Sequence, residues 1–308
     1  MKRTVALITL IISVALLFCS CDISSFINPN TDTNSPSVSL DSIPAFDGKT
    51  PFVTINDGIP FFTEEDMTTK SYESYAELDS LGRCGVTIAS IGKDIMPTEE
   101  RGSIGSVKPS GWVTVKYDIV DGKYLYNRCH LIGYQLTGEN ANRQNLITGT
   151  RFMNVDGMLP FENMVADYVK ETENHVLYRV TPIFEGENLV ASGVLIEAKS
   201  VEDNGKGIQF CVYVYNNQPG IIIDYKTGQS RLDDGTGTLP EAPPEDDNNE
   251  ENGDTGTYII NKSTKKVHKE DCRYAVDMKE ENKEIYEGSL DDLLSDGDFS
   301  ACGTCKPE

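Results

Sequence analysis

Two neighbouring runs, Leu125-Tyr-Asn-Arg-Cys-His-Leu-Ile-Gly133 and Asn140-Ala-Asn-Arg-Gln-Asn-Leu-Ile-Thr-Gly-Thr-Arg-Phe-Met-Asn154, gather Asn and Arg around one histidine, His130. The first run reads as a β-like approach that ends in polar residues. Glu162 then opens the segment Phe161–Glu171, where Phe161, Met164, Val165, Tyr168 and Val169 recur at helical spacing. That spacing predicts an amphipathic helix directly after the polar cluster.

Outward from this centre, short runs rich in Val, Ile, Tyr and Phe predict strands at 52–55, 112–118, 176–184, 190–197, 208–214 and 221–225. Asp121-Gly122, Glu185-Gly186 and Asn204-Gly205 supply turns between them. Ser71–Leu81, leading into Gly82, reads as a second helix. The fold class that follows is α+β, built on a mainly antiparallel sheet.

The polar cluster suits one chemistry in particular. Hydrolysis of a phosphodiester needs a base of near-neutral pKa, a divalent cation on the phosphate, and charge or a proton for the leaving oxygen. Histidine, with an unperturbed pKa near 6.5, meets the first need. Mg²⁺ keeps several waters and takes one or two protein oxygens. Arginine presents a fixed fork to phosphate. On residue type alone, a structural histidine beside an Asn-rich loop is the commoner case.

The ordered motifs favour the chemical reading. Asn127-Arg128-Cys129-His130 resembles the Asp-Arg-Gly-His signature of the DNA/RNA non-specific endonucleases, which have the ββα-metal fold. Leu-Ile-Gly-Tyr after His130, the run Asn145–Asn154, Leu78–Arg83 and Met96–Ser103 resemble the branch of streptococcal secreted and competence nucleases. The resemblance spans roughly residues 50–231 and implies a role for each matched position. His130 is the general base, and Asn154 is the direct Mg²⁺ (or Mn²⁺) ligand. Glu162 binds a metal-coordinated water. Asn145 supports the metal-water shell or the loop that carries it, and Arg128 contacts phosphate or the transition state. Arg83 is a weaker phosphate candidate. Asn127 stands where the family has Asp, and Cys129 where it has Gly. His175 reads as a strand-edge residue and Trp112 as sheet packing. Cys84 and Cys129 are either a disulfide or two reduced thiols.

The ends of the chain read separately. Lys2 and Arg3 precede an apolar run from Val5 to Phe18, a secretory signal peptide ending at Cys21. Cys21 sits at the position of a lipidated cysteine; cleavage and release is the alternative. A tether over 22–45 and an endonuclease domain over 46–231 follow. Residues 232–256 carry nine acids and no bases, which makes an extended linker. The expected location is therefore extracytoplasmic, on a membrane through a lipid anchor, or secreted.

Residues 257–308 form a module too small to hold a core unaided. His268, Cys272, Cys302 and Cys305 match a tetrahedral Zn²⁺ shell of structural type. Disulfides within the three cysteines are the alternative, but they leave one thiol over. The module resembles the metal-binding domain of the Ada DNA-repair protein, which implies an accessory role. The chain as a whole is acidic, with net charge −22. That charge opposes tight capture of a nucleic-acid partner and keeps a second reading open, a non-catalytic surface-anchored nucleic-acid-binding protein.

Overall fold

A computed structural model of the chain describes residues 43–239, 255–295 and 299–307. The expected export segment, Cys21, and most of the expected tether and linker lie outside these residues. In chain order the larger domain has strands β1 (Phe52–Thr54), β2 (Tyr72–Tyr75), β3 (Thr87–Ile91), β4 (Tyr126–His130), β5 (Leu146–Thr150), β6 (Val176–Ile183), β7 (Gly193–Ser200), β8 (Gln209–Tyr215), β9 (Ile221–Ile223) and β10 (Ser230–Leu232). Its α-helices are α1 (Tyr134–Thr137) and α2 (Leu159–Thr172).

Six strands form one sheet in the order β1-β8-β7-β6-β3-β2. Every neighbouring pair in it is antiparallel. The expected α+β class with a mainly antiparallel sheet is therefore what the structure shows.

Helix α2 starts with Pro160 in its first turn, where the missing N–H costs nothing. Phe161, Val165, Ala166 and Val169 share a buried cluster with Val176, Tyr178 and Val180 of β6, Ile196 of β7, and Phe210 and Val212 of β8. The Phe161 ring lies 4.9 Å from both Phe52 and Phe210. Each such side chain contributes about 1.5–3 kcal/mol on burial, which seats the helix on the sheet. Met164, expected on this face, is exposed.

The other side of the sheet buries an ion pair. Arg179 Nε lies 2.7 Å from Glu197 Oε2, and the Phe61 amide donates to Glu197 Oε1 at 2.8 Å. The Phe62 ring stacks 4.7 Å from the Arg179 guanidinium. Such a pair holds because its remaining acceptors are satisfied.

Two expectations are corrected, and one open alternative is decided. Ser71–Leu81 is not a helix: Tyr72–Tyr75 is the edge strand β2, paired with β3. Its tyrosines find partners on the sheet, and tertiary pairing overrides a short helical pattern. Residues 112–118 touch a neighbour only through the Lys116–Tyr124 bridge. Trp112, Val113, Val115 and Tyr117 instead cover a small core of Val120, Leu125, Tyr126, Ile221 and Ile223. Cys84 and Cys129 are free buried thiols rather than a disulfide. Cys84 Sγ donates to the Leu146 carbonyl at 3.2 Å.

The C-terminal module holds β11 (Thr255–Asn261), β12 (Lys266–Lys269), α3 (Arg273–Val276), β13 (Lys283–Ser289), α4 (Leu290–Ser295) and β14 (Ser300–Ala301). Its sheet runs β13-β11-β12-β14, and β14 joins β12 in parallel. Tyr258, Ile260, Val267, Tyr286, Leu290, Leu293 and Phe299 make its own small core.

Candidate active site

Strands β4 and β5 stand apart from the large sheet as a two-stranded antiparallel ladder that sets His130 opposite Leu146 and Arg128 opposite Thr148. All five residues of β4 are buried. The Cys129 side chain has room there because the diagonal residue on β5 is glycine: a β-carbon on Gly149 would come 2.6 Å from Cys129 Cβ.

Between β5 and α2 the chain makes a turn of π-helix, Met153–Met158, closed by the Leu159 amide donating to the Asn154 carbonyl. Such bulges concentrate at functional sites because they turn one side chain out of helical register. Here the turn carries Asn154, and Glu162 follows on the first turn of α2.

His130, Arg128, Asn154 and Glu162 all line one cavity of about 460 Å³, together with Asn127, Arg101 and Arg151. Three separate stretches of sequence meet there. The imidazole of His130 is 7% exposed, and its Nε2 lies 2.7 Å from the Asn140 carbonyl oxygen. A carbonyl only accepts, so Nε2 carries the proton and Nδ1 keeps its lone pair. Burial, helped by the Arg101 charge, pulls the His130 pKa down to about 3. The imidazole is thus held neutral, with a pKa well below the near-neutral value expected of it.

Burial acts oppositely on the carboxyl of Glu162, pushing its pKa up to about 7 against the opposing effects of a Gln135 hydrogen bond and the Arg101 charge. Asn154 Nδ2 points to Asn127 Oδ1 at 3.4 Å, and Asn154 Oδ1 accepts from the Cys129 thiol at 3.0 Å. Arg128 stacks 4.0 Å over Trp112 and donates from Nε to the Val107 carbonyl. Trp112 is therefore a platform for a site arginine as well as sheet packing.

Asn145 has no share in the cavity. Its amide is fully buried, accepting from Ile132 N and donating to Ile132 O, both at 2.9 Å. Of the two roles open to it, bracing the loop after β4 is the one its hydrogen bonds show. Arg83 is also elsewhere: it pairs with Asp79 at 2.7 Å, donates to the Gly186 and Asn188 carbonyls, and covers Phe184. His175 bonds Glu202 at 2.7 Å, one residue before the interior strand β6 and away from the cavity.

Sequence reading missed Arg101 and Arg151, although both lie inside stretches that carry the family resemblance. With Arg128 they set three guanidiniums against one carboxyl in the cavity lining. The local field thus opposes the acidic whole, as a groove for an anion requires.

In the C-terminal module, His268 on β12, Cys272 at the start of α3, and Cys302 and Cys305 after β14 bring their ligand atoms within 4.8 Å of one another. All three cysteines are free of disulfides. Three sulfurs and one imidazole nitrogen at that separation suit a closed tetrahedral Zn²⁺ shell.

A hairpin feeding a helix across a polar cavity is the arrangement of the ββα-metal nucleases. Residues 63–202 match the family described as DNA/RNA non-specific endonuclease. NucA from Streptococcus agalactiae, solved with a magnesium ion bound, superposes with a TM-score of 0.52. It is 26% identical, and the match covers 60% of this chain and 91% of that one. A deoxyribonuclease of Streptococcus dysgalactiae subsp. equisimilis is 31% identical over 159 residues, 49% of this chain. The chain spans only 45% of that relative's length. Residues 63–202 of this chain thus resemble the DNA/RNA non-specific endonucleases.

Proposed function

We propose that the protein is an exported, metal-dependent endonuclease that hydrolyses phosphodiester bonds without sequence preference, with DNA as substrate and RNA as the second polymer to test. The observation that carries this reading is the convergence of His130, Arg128, Asn154 and Glu162 on one cavity. The basic apolar leader at residues 2–18 supports export, with the domain tethered at Cys21 or released.

The cavity suits a hard cation. Asn154 Oδ1 and the Glu162 carboxylate are oxygen donors beside a space large enough for ordered water, and no cysteine is among the residues that line it. Asn154 would hold Mg²⁺ (or Mn²⁺) directly, and Glu162 would hold one of its waters. Bound there, the cation neutralises charge on the scissile phosphate and the departing oxygen. NucA's magnesium-bound structure supports this choice of metal.

The remaining work belongs to side chains. His130 Nδ1 takes a proton from the attacking water while the Asn140 carbonyl holds the ring in one tautomer. Entry of the phosphodiester anion adds negative charge near the imidazole, which raises its basicity when a proton must be accepted. Arg128, fixed by Trp112 and Val107, presents its fork to the phosphate and to charge that develops in the transition state. In the C-terminal module, Zn²⁺ would staple a small core and take no part in catalysis, since four protein ligands leave no position for water.

Plasmid digestion tests the reading, with wild-type protein in Mg²⁺, in Mg²⁺-free buffer, and with His130→Ala. Cleavage that needs both the cation and His130 supports it. Intact plasmid after incubation with folded wild-type protein in Mg²⁺ and Mn²⁺ would count for the binding-protein alternative.

A further inference from the structure

The C-terminal module touches the larger domain along residues 99–105, a stretch without regular secondary structure. Lys265, in the turn between β11 and β12, reaches Glu100 Oε2 at 3.4 Å and the Arg101 carbonyl at 3.5 Å. Gly105 sits against the module so closely that a β-carbon there would stand 3.0 Å from Tyr286 Oη and 3.1 Å from Leu293 Cα.

The inner side of the same stretch is built into the active site. Ile104 and Val107 form a buried cluster with Leu146, the residue paired across the hairpin from His130. The Val107 carbonyl receives Arg128 Nε. The Asn140 side chain donates to the Ser103 carbonyl at 3.5 Å, and the Asn140 carbonyl is the one that holds His130 Nε2. Tyr134, in the cavity lining, donates its hydroxyl to the Glu99 carbonyl at 2.9 Å. One irregular segment therefore orients a general base and a phosphate-binding arginine, with the module on its outer side.

We infer that the module is a clasp on residues 99–107 that positions His130 and Arg128, so that the state of its His268/Cys272/Cys302/Cys305 group reaches the active site. The path from those ligands is short. β12 carries His268, and Lys265 directly precedes it. The Ser300 amide donates to the Lys265 carbonyl at 3.0 Å, two residues before Cys302. A module with so small a core depends on its staple, so loss of metal releases the turn that bears Lys265. The Lys265–Glu100 ion pair is largely solvated and contributes little by itself. The close approach at Gly105 carries most of the docking. The positioning role rests on the nuclease reading above; the docking does not.

The test uses the full chain and reads trypsin cleavage after Arg101 beside steady-state kinetics on plasmid DNA. Gly105→Leu wedges the module away without touching the cavity or the four metal ligands, and the backbone there sits outside the region reserved for glycine. The expected result is faster cutting after Arg101, unchanged zinc content, and a roughly tenfold lower kcat with a smaller change in KM, as misplacement of a base predicts. Lys265→Glu should move both readouts in the same direction but by much less, as a largely solvated pair predicts. Removing zinc with a chelator that spares Mg²⁺ should expose the Arg101 site as the wedge does. Unchanged trypsin patterns across these variants and the zinc-free protein would overturn the clasp. Faster cutting with unchanged kcat would overturn the positioning role. Since proteolysis is read without substrate, a failure of the nuclease reading would stand apart from either result.

Discussion

Gly133 lies directly against Glu162: a β-carbon built on the glycine would overlap both carboxylate oxygens. Gly133 precedes α1 with φ −58°, a conformation any residue adopts. The glycine is therefore needed for space, not for backbone freedom. The loop after β4 and the first turn of α2 meet at this pair, and the Glu162 carboxyl keeps its place in the cavity because nothing projects from position 133.

Gly133→Ala should accordingly act through Glu162. Cleavage should fall at least roughly tenfold while the circular dichroism spectrum stays unchanged, since an overlap of one methyl displaces a side chain locally. Plasmid nicking rates at saturating Mg²⁺ check this. Wild-type rates in a folded variant would remove Glu162 from the site.

Asn127 stands where the family has Asp, and its Oδ1 receives Asn154 Nδ2 at 3.4 Å, a long hydrogen bond between neutral groups. Asn127→Asp makes that acceptor charged, which shortens such bonds and steadies the ligand. The Mg²⁺ concentration for half-maximal activity should fall by about tenfold, the scale on which residues behind a metal ligand act. A Mg²⁺ titration that shows equal or weaker requirement would speak against this orientation of Asn154.

Asn154→Ala removes the proposed direct ligand and leaves Glu162 and the waters. Activity should drop by at least roughly a hundredfold at low Mg²⁺ and recover in part as Mg²⁺ is raised, because the loss lies in cation affinity. Indifference to Mg²⁺ concentration would place Asn154 outside the metal site.

The two buried titrating groups give opposite stability slopes in Mg²⁺-free buffer. Glu162 has its folded pKa raised from 4.5 to about 7, so between these values the folded state keeps a proton that the unfolded state has lost. Stability from this group falls as pH rises through that window, by on the order of 3 kcal/mol. His130 has its folded pKa lowered from 6.5 to about 3, so the unfolded state takes the proton first as pH drops. Its contribution is lost as pH falls below 6.5. Glu162→Gln should raise the urea midpoint at pH 8, with the gain shrinking towards pH 4.5. A gain that is flat across pH would refute the assigned shift.

Much of this was legible before folding. The apolar spacing of Phe161, Val165 and Val169 announced α2, and the β-rich runs announced five strands of the domain close to where they lie. His130, Arg128, Asn154 and Glu162 stand in ordered motifs, and the ligand set His268, Cys272, Cys302 and Cys305 follows from spacing and small domain size. The misreadings share a cause. Ser71–Leu81 carries a short pattern compatible with either element, and a partner strand settled it. Trp112–Tyr117 alternates like a strand, but its apolar face found a side cluster before it found a ladder.

Residue identity, order and spacing by themselves determined the elements, the chemistry available to the site, and the class of metal each ligand set prefers, because these follow from local periodicity and donor type. Only the tertiary structure decided that Asn145 braces a peptide while Arg101 and Arg151 face the cavity. Burial, set by distant segments, likewise drives His130 and Glu162 to opposite pKa shifts. Contacts between residues far apart in sequence, such as Gly105 with Leu293, exist only once the chain has packed, and no local pattern encodes them.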